Sequence, residues 1–435
     1  MKLQSFPGYQ FIEGGVCAAK GFRANGVCCG LKHQALPGDG VSEQNLAANG
    51  IEADDKQPKK NDLAMIVADQ DCAAAAVYTQ NKVKGAPILV TKEHLKDGRA
   101  RAVIVNSVNA NTCNADGYEK ATAMCDITAN ILGIPADDVI VASTGVIGQV
   151  LPILPIREAA PELAEGLSEY GNKEAMHAIM TTDTREKELA VSFKIGKKIC
   201  KLGGMLKGSG MIHPNMATTL TFLTTDCAIS PAMLQQALSD VVRVTLNRVS
   251  VDGDQSTNDM ACIMASGLAG NSEITSENED YAIFRGALYT ILLNLARMCA
   301  ADGEGATKLV ECVVSDAESE EIAETVAKSV IESSLFKAAM FGADANWGRI
   351  ACAMGYADCD FDISKVDVDL ASDKGRISVA KNGFGVPFSE EAAKEILLED
   401  EIQVLISLNG GDASAVAWGC DLTYDYVKIN GDYRS

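Results

Sequence analysis

The sequence predicts a mixed α/β chain whose larger α/β part is followed by a smaller α+β part. Three observations predict it. The β-branched runs Arg101–Asn106 and Asp138–Ala142 are short and bounded by polar residues, as buried strands are. In Tyr281–Ala300, Ile283, Leu288, Leu292, Leu295 and Met298 recur every three to five residues, the period of a helix. Beyond Val366 the texture changes to short alternating runs around one short helix. With 435 residues, 47% of them hydrophobic, the chain can bury more than one core. The seam is expected near 305–320, which divides the chain into 1–310 and 311–435.

In chain order, His33–Lys60 carries Pro37, Pro58 and several Gly and Asp without an apolar face, and reads as a surface excursion. Val139–Ile156 is uncharged between Asp138 and Arg157 but holds Gly145, Gly148, Pro152 and Pro155. It reads as strand-turn-strand and not as a membrane span. Pro161–Lys187 has helical spacing at Leu163, Leu167 and Met176. Lys201–Gly210 reads as a glycine-rich turn, and Thr218–Thr225 as a strand. Ser230 can cap a helix over Pro231–Val244. Ser319–Met340 reads as one amphipathic helix with Ile322, Val326 and Val330 on a face. Strand runs around Val366–Val368, Ile377–Val379 and Ile402–Leu408 enclose a helix at Ser389–Glu399.

Composition excludes some functions. Lys+Arg is 38 and Asp+Glu is 59, a net charge of −21. Nucleic acid and anionic membranes call for clustered positive charge, so neither is an expected partner. The N-terminus has no apolar secretory region, so the fourteen cysteines are expected to be cytoplasmic thiols. No CxxC pair and no HxH or HExxH occurs, so no metal is expected. Asp252, Asp254 and Asp259 do not complete a calcium loop and read as hydrogen-bonding residues.

Chemistry concentrates in Lys207-Gly-Ser-Gly-Met-Ile-His-Pro-Asn-Met-Ala-Thr-Thr-Leu220. A phosphate-cradling loop has these residue types, but the Walker A and GxGxxG spacings are absent. A plain turn into a strand is the second reading. The third places a nucleophile at the start of the strand. A threonine hydroxyl needs a base, and cleavage at Ala217–Thr218 would give Thr218 its own α-amine, with a pKa near 8.

Landmarks along the whole chain then carry a resemblance. They are Asn81-Lys-Val-Lys-Gly-Ala-Pro87, Asn109-Ala-Asn111, Ser143-Thr-Gly-Val-Ile-Gly148, Thr181-Thr-Asp183, Lys207-Gly-Ser-Gly-Met-Ile212, His213-Pro-Asn-Met-Ala-Thr218, Val251-Asp-Gly-Asp254 with Ser256-Thr-Asn-Asp259, Asp302-Gly-Glu-Gly-Ala-Thr-Lys308, Asn346-Trp-Gly-Arg-Ile350 and Tyr426-Val-Lys-Ile-Asn430. The chain resembles the ornithine acetyltransferase (glutamate N-acetyltransferase) family of arginine biosynthesis, whose members cleave themselves before a threonine.

The resemblance implies that Thr218 is the nucleophile of cleavage and of acetyl transfer, and that Thr144 and Gly145 form an oxyanion hole. It implies substrate binding by Thr181, Lys207, Thr218, Glu304, Asn430 and Ser435. Lys207 suits a substrate carboxylate and Glu304 an ornithine ammonium. The implied reaction moves acetyl from N2-acetylornithine to glutamate by a ping-pong route without a cofactor. Acetyl-CoA stays open as a second donor. The implied fold is a four-layer αββα core with a smaller α+β domain. The implied assembly is an α2β2 heterotetramer of chains 1–217 and 218–435. An amidohydrolase or aminopeptidase with an N-terminal nucleophile, and a non-enzymatic carboxylate- or phosphate-binding protein, remain the alternative readings. Three residues depart from the common pattern: Val108 where glycine is common, Thr219 where methionine is common, and Ser435 where threonine is frequent.

Overall fold

The computed structural model describes residues 1–31, 60–213 and 219–431. The 33–60 excursion (apart from Lys60), the Ala217–Thr218 bond and Ser435 lie outside the described residues.

Among the described residues, fifteen strands form two sheets. The nine strands of the first are β1 (Gln10–Ile12), β2 (Phe22–Val27), β3 (Leu63–Tyr78), β4 (Arg99–Asn106), β5 (Val139–Ser143), β6 (Glu188–Ile195), β7 (Lys198–Lys207), β8 (Leu220–Thr225) and β9 (Met260–Ala265). Their order is β1-β6-β7-β8-β9-β3-β4-β5, with β2 also on β3. The long β3 makes this one sheet do the work of two. Its first half pairs β2 and β4, its second half pairs β9, and the register shifts between Val67 and Cys72. The exposed Asp69-Gln70-Asp71 occupies that break.

Side-chain alternation then builds four layers. Leu63, Met65 and Val67 pack with α1 (Ala86–His94), α2 (Gly117–Leu132) and α3 (Ile153–Glu165) through Val90, Met124 and Leu163. Ala64, Ile66 and Ala68 face the other way, into an interior shared with Phe222, Met260, Cys262 and Met264. α4 (Asn172–Ile179) contributes Met176 and Ile179 to the same interior. On β9, Ala261, Ile263 and Ala265 point outward to α5 (Pro231–Val244) and α6 (Glu279–Ala301). The result is helix, sheet, sheet, helix, with β3 crossing between the two central layers. The αββα core is therefore present, formed by a single folded sheet.

α6 is long and apolar enough to cross a bilayer, but 67% of its most apolar window is buried inside the protein. Phe284, Leu288, Ile291, Leu292 and Leu295 form one apolar face, and from Thr290 to Arg297 every residue is buried, so that stretch is enclosed on all sides, which explains its composition.

The second sheet runs β13-β12-β11-β14-β10-β15. Its strands are β10 (Leu309–Ala317), β11 (Asp367–Ser372), β12 (Gly375–Lys381), β13 (Phe384–Gly385), β14 (Glu401–Ser407) and β15 (Ala413–Cys420). It has a core of its own, with α7 (Glu320–Glu332), α8 (Ser334–Phe341), α9 (Trp347–Gly355) and α10 (Glu390–Leu397) against it. A last helix, α11 (Tyr424–Gly431), returns toward the first sheet.

Four local expectations are corrected. β5 is followed by a loop and then α3, so Val139–Ile156 is strand-turn-helix. Pro161–Lys187 holds the end of α3, all of α4 and a loop, because Gly166 and Gly171 interrupt it. Lys201–Gly210 is mostly β7. A Cβ at Gly203 would sit 1.8 Å from the Gly15 carbonyl oxygen, and one at Gly204 would sit 2.4 Å from Leu223, so these glycines admit close neighbours and do not turn the chain. Ser319–Met340 is two helices, since Ser333 takes an extended ψ of 111° and caps α8 by accepting a hydrogen bond from the Phe336 N–H.

Phe222 of β8 is 1% exposed between the two central layers. Phe222→Ala is expected to lower unfolding free energy by about 3–5 kcal/mol, measured by urea denaturation.

Candidate active site

The N-terminal end of β8 opens into a pocket. It is lined by Thr144, Gly145, Thr181, Lys207, Glu304 and Asn430, six of the residues that the sequence nominates. They come from five separated stretches: the loop after β5, the loop before β6, the end of β7, the turn after α6 and the last turn of α11. Thr219 and Leu220, where the chain enters β8, complete the wall. Thr218 is bonded to Thr219 but lies outside the described residues, as do Ala217 and Ser435.

A buried ion cluster assembles the pocket. Lys187, with no exposed side-chain surface, donates from Nζ to Asp183 Oδ1 at 2.7 Å and to Asp302 Oδ2 at 2.5 Å. Asp183 also accepts the Gly208 N–H at 2.8 Å and the Thr181 N–H at 3.1 Å. Asp302 accepts the N–H groups of Thr184 and Arg185 and the Thr184 hydroxyl, while its own carbonyl accepts the Ser209 hydroxyl at 2.6 Å. Three loops are thereby tied to one lysine. Burial alone would raise the Asp183 carboxyl, but the ammonium groups of Lys187 and Lys207 hold it down at about 2.

The glycines of Lys207-Gly-Ser-Gly210 serve proximity. A Cβ at Gly210 would come within 2.3 Å of the Glu304 carboxyl carbon. The Glu304 N–H donates to the Ser209 carbonyl at 3.0 Å, and Asn430 Nδ2 donates to Glu304 Oε2 at 2.7 Å. The Lys207 side chain makes no ion pair or hydrogen bond among the described residues, so the pocket holds an ammonium group with no direct contact beside an anchored carboxylate.

Gly145 has φ +130°, and a Cβ there would meet the Val108 carbonyl oxygen at 2.0 Å. The position therefore requires glycine. The Thr144 N–H donates to the Asn106 carbonyl and the Val146 N–H to the Val108 carbonyl, both at 3.0 Å. The Gly145 N–H between them, and the Thr144 hydroxyl, have no partner among the described residues. Val108 is accommodated: its side chain packs into the outer helical core while its carbonyl holds Val146.

Other members of this wall carry no site role in the sequence. Thr182, Ser256, Thr257, Asn258 and Asp259 also line the pocket. Asp259 is 3% exposed, and its Oδ2 has no hydrogen-bond partner among the described residues. Burial pushes its carboxyl well up, against the pull of Ser256 and Lys207. The available signal was a dense polar run, Ser256-Thr-Asn-Asp259, directly ahead of an apolar strand. Asp252 has the hydrogen-bonding role expected of it, accepting the N–H groups of Met211 at 2.7 Å and Ile212 at 2.9 Å. His213 faces Glu332 at 3.0 Å, on the side of the second sheet.

The chain is similar to known proteins along nearly its whole length. The profile of the ArgJ family matches residues 47–435. Arginine biosynthesis bifunctional protein ArgJ 1 of Clostridium acetobutylicum is 47% identical over 389 residues, 89% of this chain and 95% of that protein. Arginine biosynthesis bifunctional protein ArgJ of Caldanaerobacter subterraneus is 43% identical over 98% of this chain and 100% of its own length. Among solved structures, an ornithine acetyltransferase of Mycobacterium tuberculosis complexed with ornithine is 34% identical, with a TM-score of 0.39, covering 48% of this chain and 100% of that one.

Two measurements test the ion cluster. Lys187→Met strands two buried carboxylates and is expected to lower unfolding free energy by about 3–5 kcal/mol in urea titrations. The pKa of Asp183 is lowered by folding from about 3.9 to about 2. Its contribution is thus complete above about pH 4 and is lost as pH falls toward 2. Wild type should lose this share of stability across that window, and Asp183→Asn should not.

Proposed function

The chain belongs to the ArgJ family, and on that footing we propose that it is an ornithine acetyltransferase of arginine biosynthesis that works through an acetyl-threonine on Thr218. The observation that carries this reading is the convergence of Thr144, Gly145, Thr181, Lys207, Glu304 and Asn430 on one pocket at the mouth of β8. A transfer site for an amino acid needs a carboxylate receptor, an ammonium receptor and a donor pair for an oxyanion. Lys207, Glu304 and the Thr144–Gly145 pair supply these in one cavity.

In the proposed reaction the Thr218 hydroxyl attacks the acetyl carbon of N2-acetylornithine, and its proton passes to the α-amine of Thr218. That amine exists once the Ala217–Thr218 bond has been cut. The tetrahedral oxygen accepts from the Thr144 hydroxyl and the Gly145 N–H. One such donor is worth about 3–4 kcal/mol of barrier. The carbon–nitrogen bond then breaks, the proton moves from the Thr218 ammonium to the leaving ornithine amine, and acetyl-Thr218 remains. The glutamate amine attacks this ester, which releases N-acetylglutamate and restores the threonine hydroxyl.

Lys207 pairs with the α-carboxylate shared by both substrates, and Glu304 with the side-chain ammonium of ornithine. Thr181, Asn430 and Ser435 complete the substrate contacts. Acetyl-CoA as a second donor would use the same threonine and would fit the bifunctional relatives. Self-cleavage gives chains 1–217 and 218–435, proposed to assemble as α2β2. Because β7 and β8 pair directly across the cut, the two chains would share one sheet.

Thr218→Ala is expected to run as a single band on a denaturing gel and to lose acetyl transfer, where wild type runs as two bands of similar size. A variant that still splits and still transfers would remove Thr218 from the mechanism.

A further inference from the structure

The proposed oxyanion donors are shaped by a side chain that no step of the reaction uses. Asn258 is 5% exposed and precedes β9. Its Nδ2 donates to the Ser143 carbonyl at 3.0 Å and to the Ala110 carbonyl at 2.6 Å. Its Oδ1 accepts the Thr112 hydroxyl at 2.7 Å and the Thr257 hydroxyl at 2.6 Å. Both amide protons and both lone pairs are in use. The orientation of the amide is forced, because two carbonyl oxygens can only accept. Gly85 makes room: a Cβ there would lie 2.5 Å from Asn258 Nδ2.

These bonds fall on the peptides that frame Gly145. The Ser143–Thr144 peptide is pinned on both sides, its C=O by Asn258 and its N–H by the Asn106 carbonyl. The Val146 N–H is pinned to Val108, and Ala110, whose carbonyl Asn258 also holds, donates its N–H to the Val146 carbonyl at 3.0 Å. The Gly145 N–H thus lies between two immobilised peptides and is itself uncommitted among the described residues. A donor aimed in advance needs no reorganisation when charge develops, and that is where its catalytic worth lies.

We infer that Asn258 is the positioning residue of the oxyanion site: its side-chain amide spans the 106–112 and 143–146 segments and fixes the direction in which Thr144 and Gly145 donate. The inference rests on the assignment of those two residues as oxyanion donors.

The test is a double-mutant cycle on the cleaved enzyme, with kcat normalised to cleaved protein. Asn258→Leu removes both amide donors without adding charge. It is expected to lower kcat about 10–100-fold, the cost of misplacing reacting groups, with KM for N-acetylornithine and for glutamate within about 2-fold. Combined with Thr144→Ala, it is expected to lose at least about 5-fold less than the product of the two single losses, because both act on one donor site. Thr112→Val removes one of the two hydroxyl donors to Asn258 Oδ1 and should show a smaller loss with the same signature. It decides the question if Asn258→Leu does not fold. Losses that multiply, an effect confined to KM, or an unchanged kcat in a folded variant would each overturn the role of Asn258 and leave the acetyl-transfer reading standing. An unchanged kcat in Thr144→Ala alone would overturn the oxyanion assignment, and the role of Asn258 with it.

Discussion

The charged wall of the pocket hangs on one buried lysine. Removing an ammonium from water is costly, and Lys187 is retained because two carboxylates and their hydrogen bonds surround it. The partners of those carboxylates are mostly backbone N–H groups at Thr181, Thr184, Arg185 and Gly208. The cluster therefore fixes main chain as well as side chains. It places the Thr181 loop against the end of β7, and both against the turn after α6 that carries Glu304. The low pKa of Asp183 is the electrostatic sign of that arrangement.

A second constraint acts from the opposite wall. There the continuation of β4 and β5 is held in parallel by backbone bonds and by Asn258, and glycine is required at 145 because the Val108 carbonyl fills the space a side chain would need. One wall thus presents charge for binding and the other presents directed neutral donors. β8 enters between them, with β7 and β9 hydrogen-bonded on either side. A nucleophile attached at that point gains its surroundings from both walls. Half of each wall lies on either side of the proposed cut, so neither fragment could form the pocket alone.

How much of this was legible in the sequence depended on whether the signal was local. The cap at Ser230, the apolar spacing of α6 and the β-branched runs of β4 and β5 are short-range patterns, and the elements stand where those patterns put them. β3 was passed over because its second half is mostly alanine and its middle is charged. Its strand character comes from pairing on both edges. Gly203 and Gly204 imitated a turn because the reason for a glycine there is a neighbour distant in sequence. The six pocket residues were nominated by resemblance and not by local chemistry. The roles of Lys187 and Asn258 were not legible because they exist only between segments separated by up to 148 residues.

The most direct test of the account is to trap the acyl-enzyme. Purified, cleaved protein is given N-acetylornithine without glutamate, and the intact mass of the C-terminal chain is measured with fragmentation to locate any adduct. The account predicts one acetyl group on Thr218, released as N-acetylglutamate when glutamate is added. An acetyl group on another residue, or transfer with no adduct on that chain at any time, would contradict it.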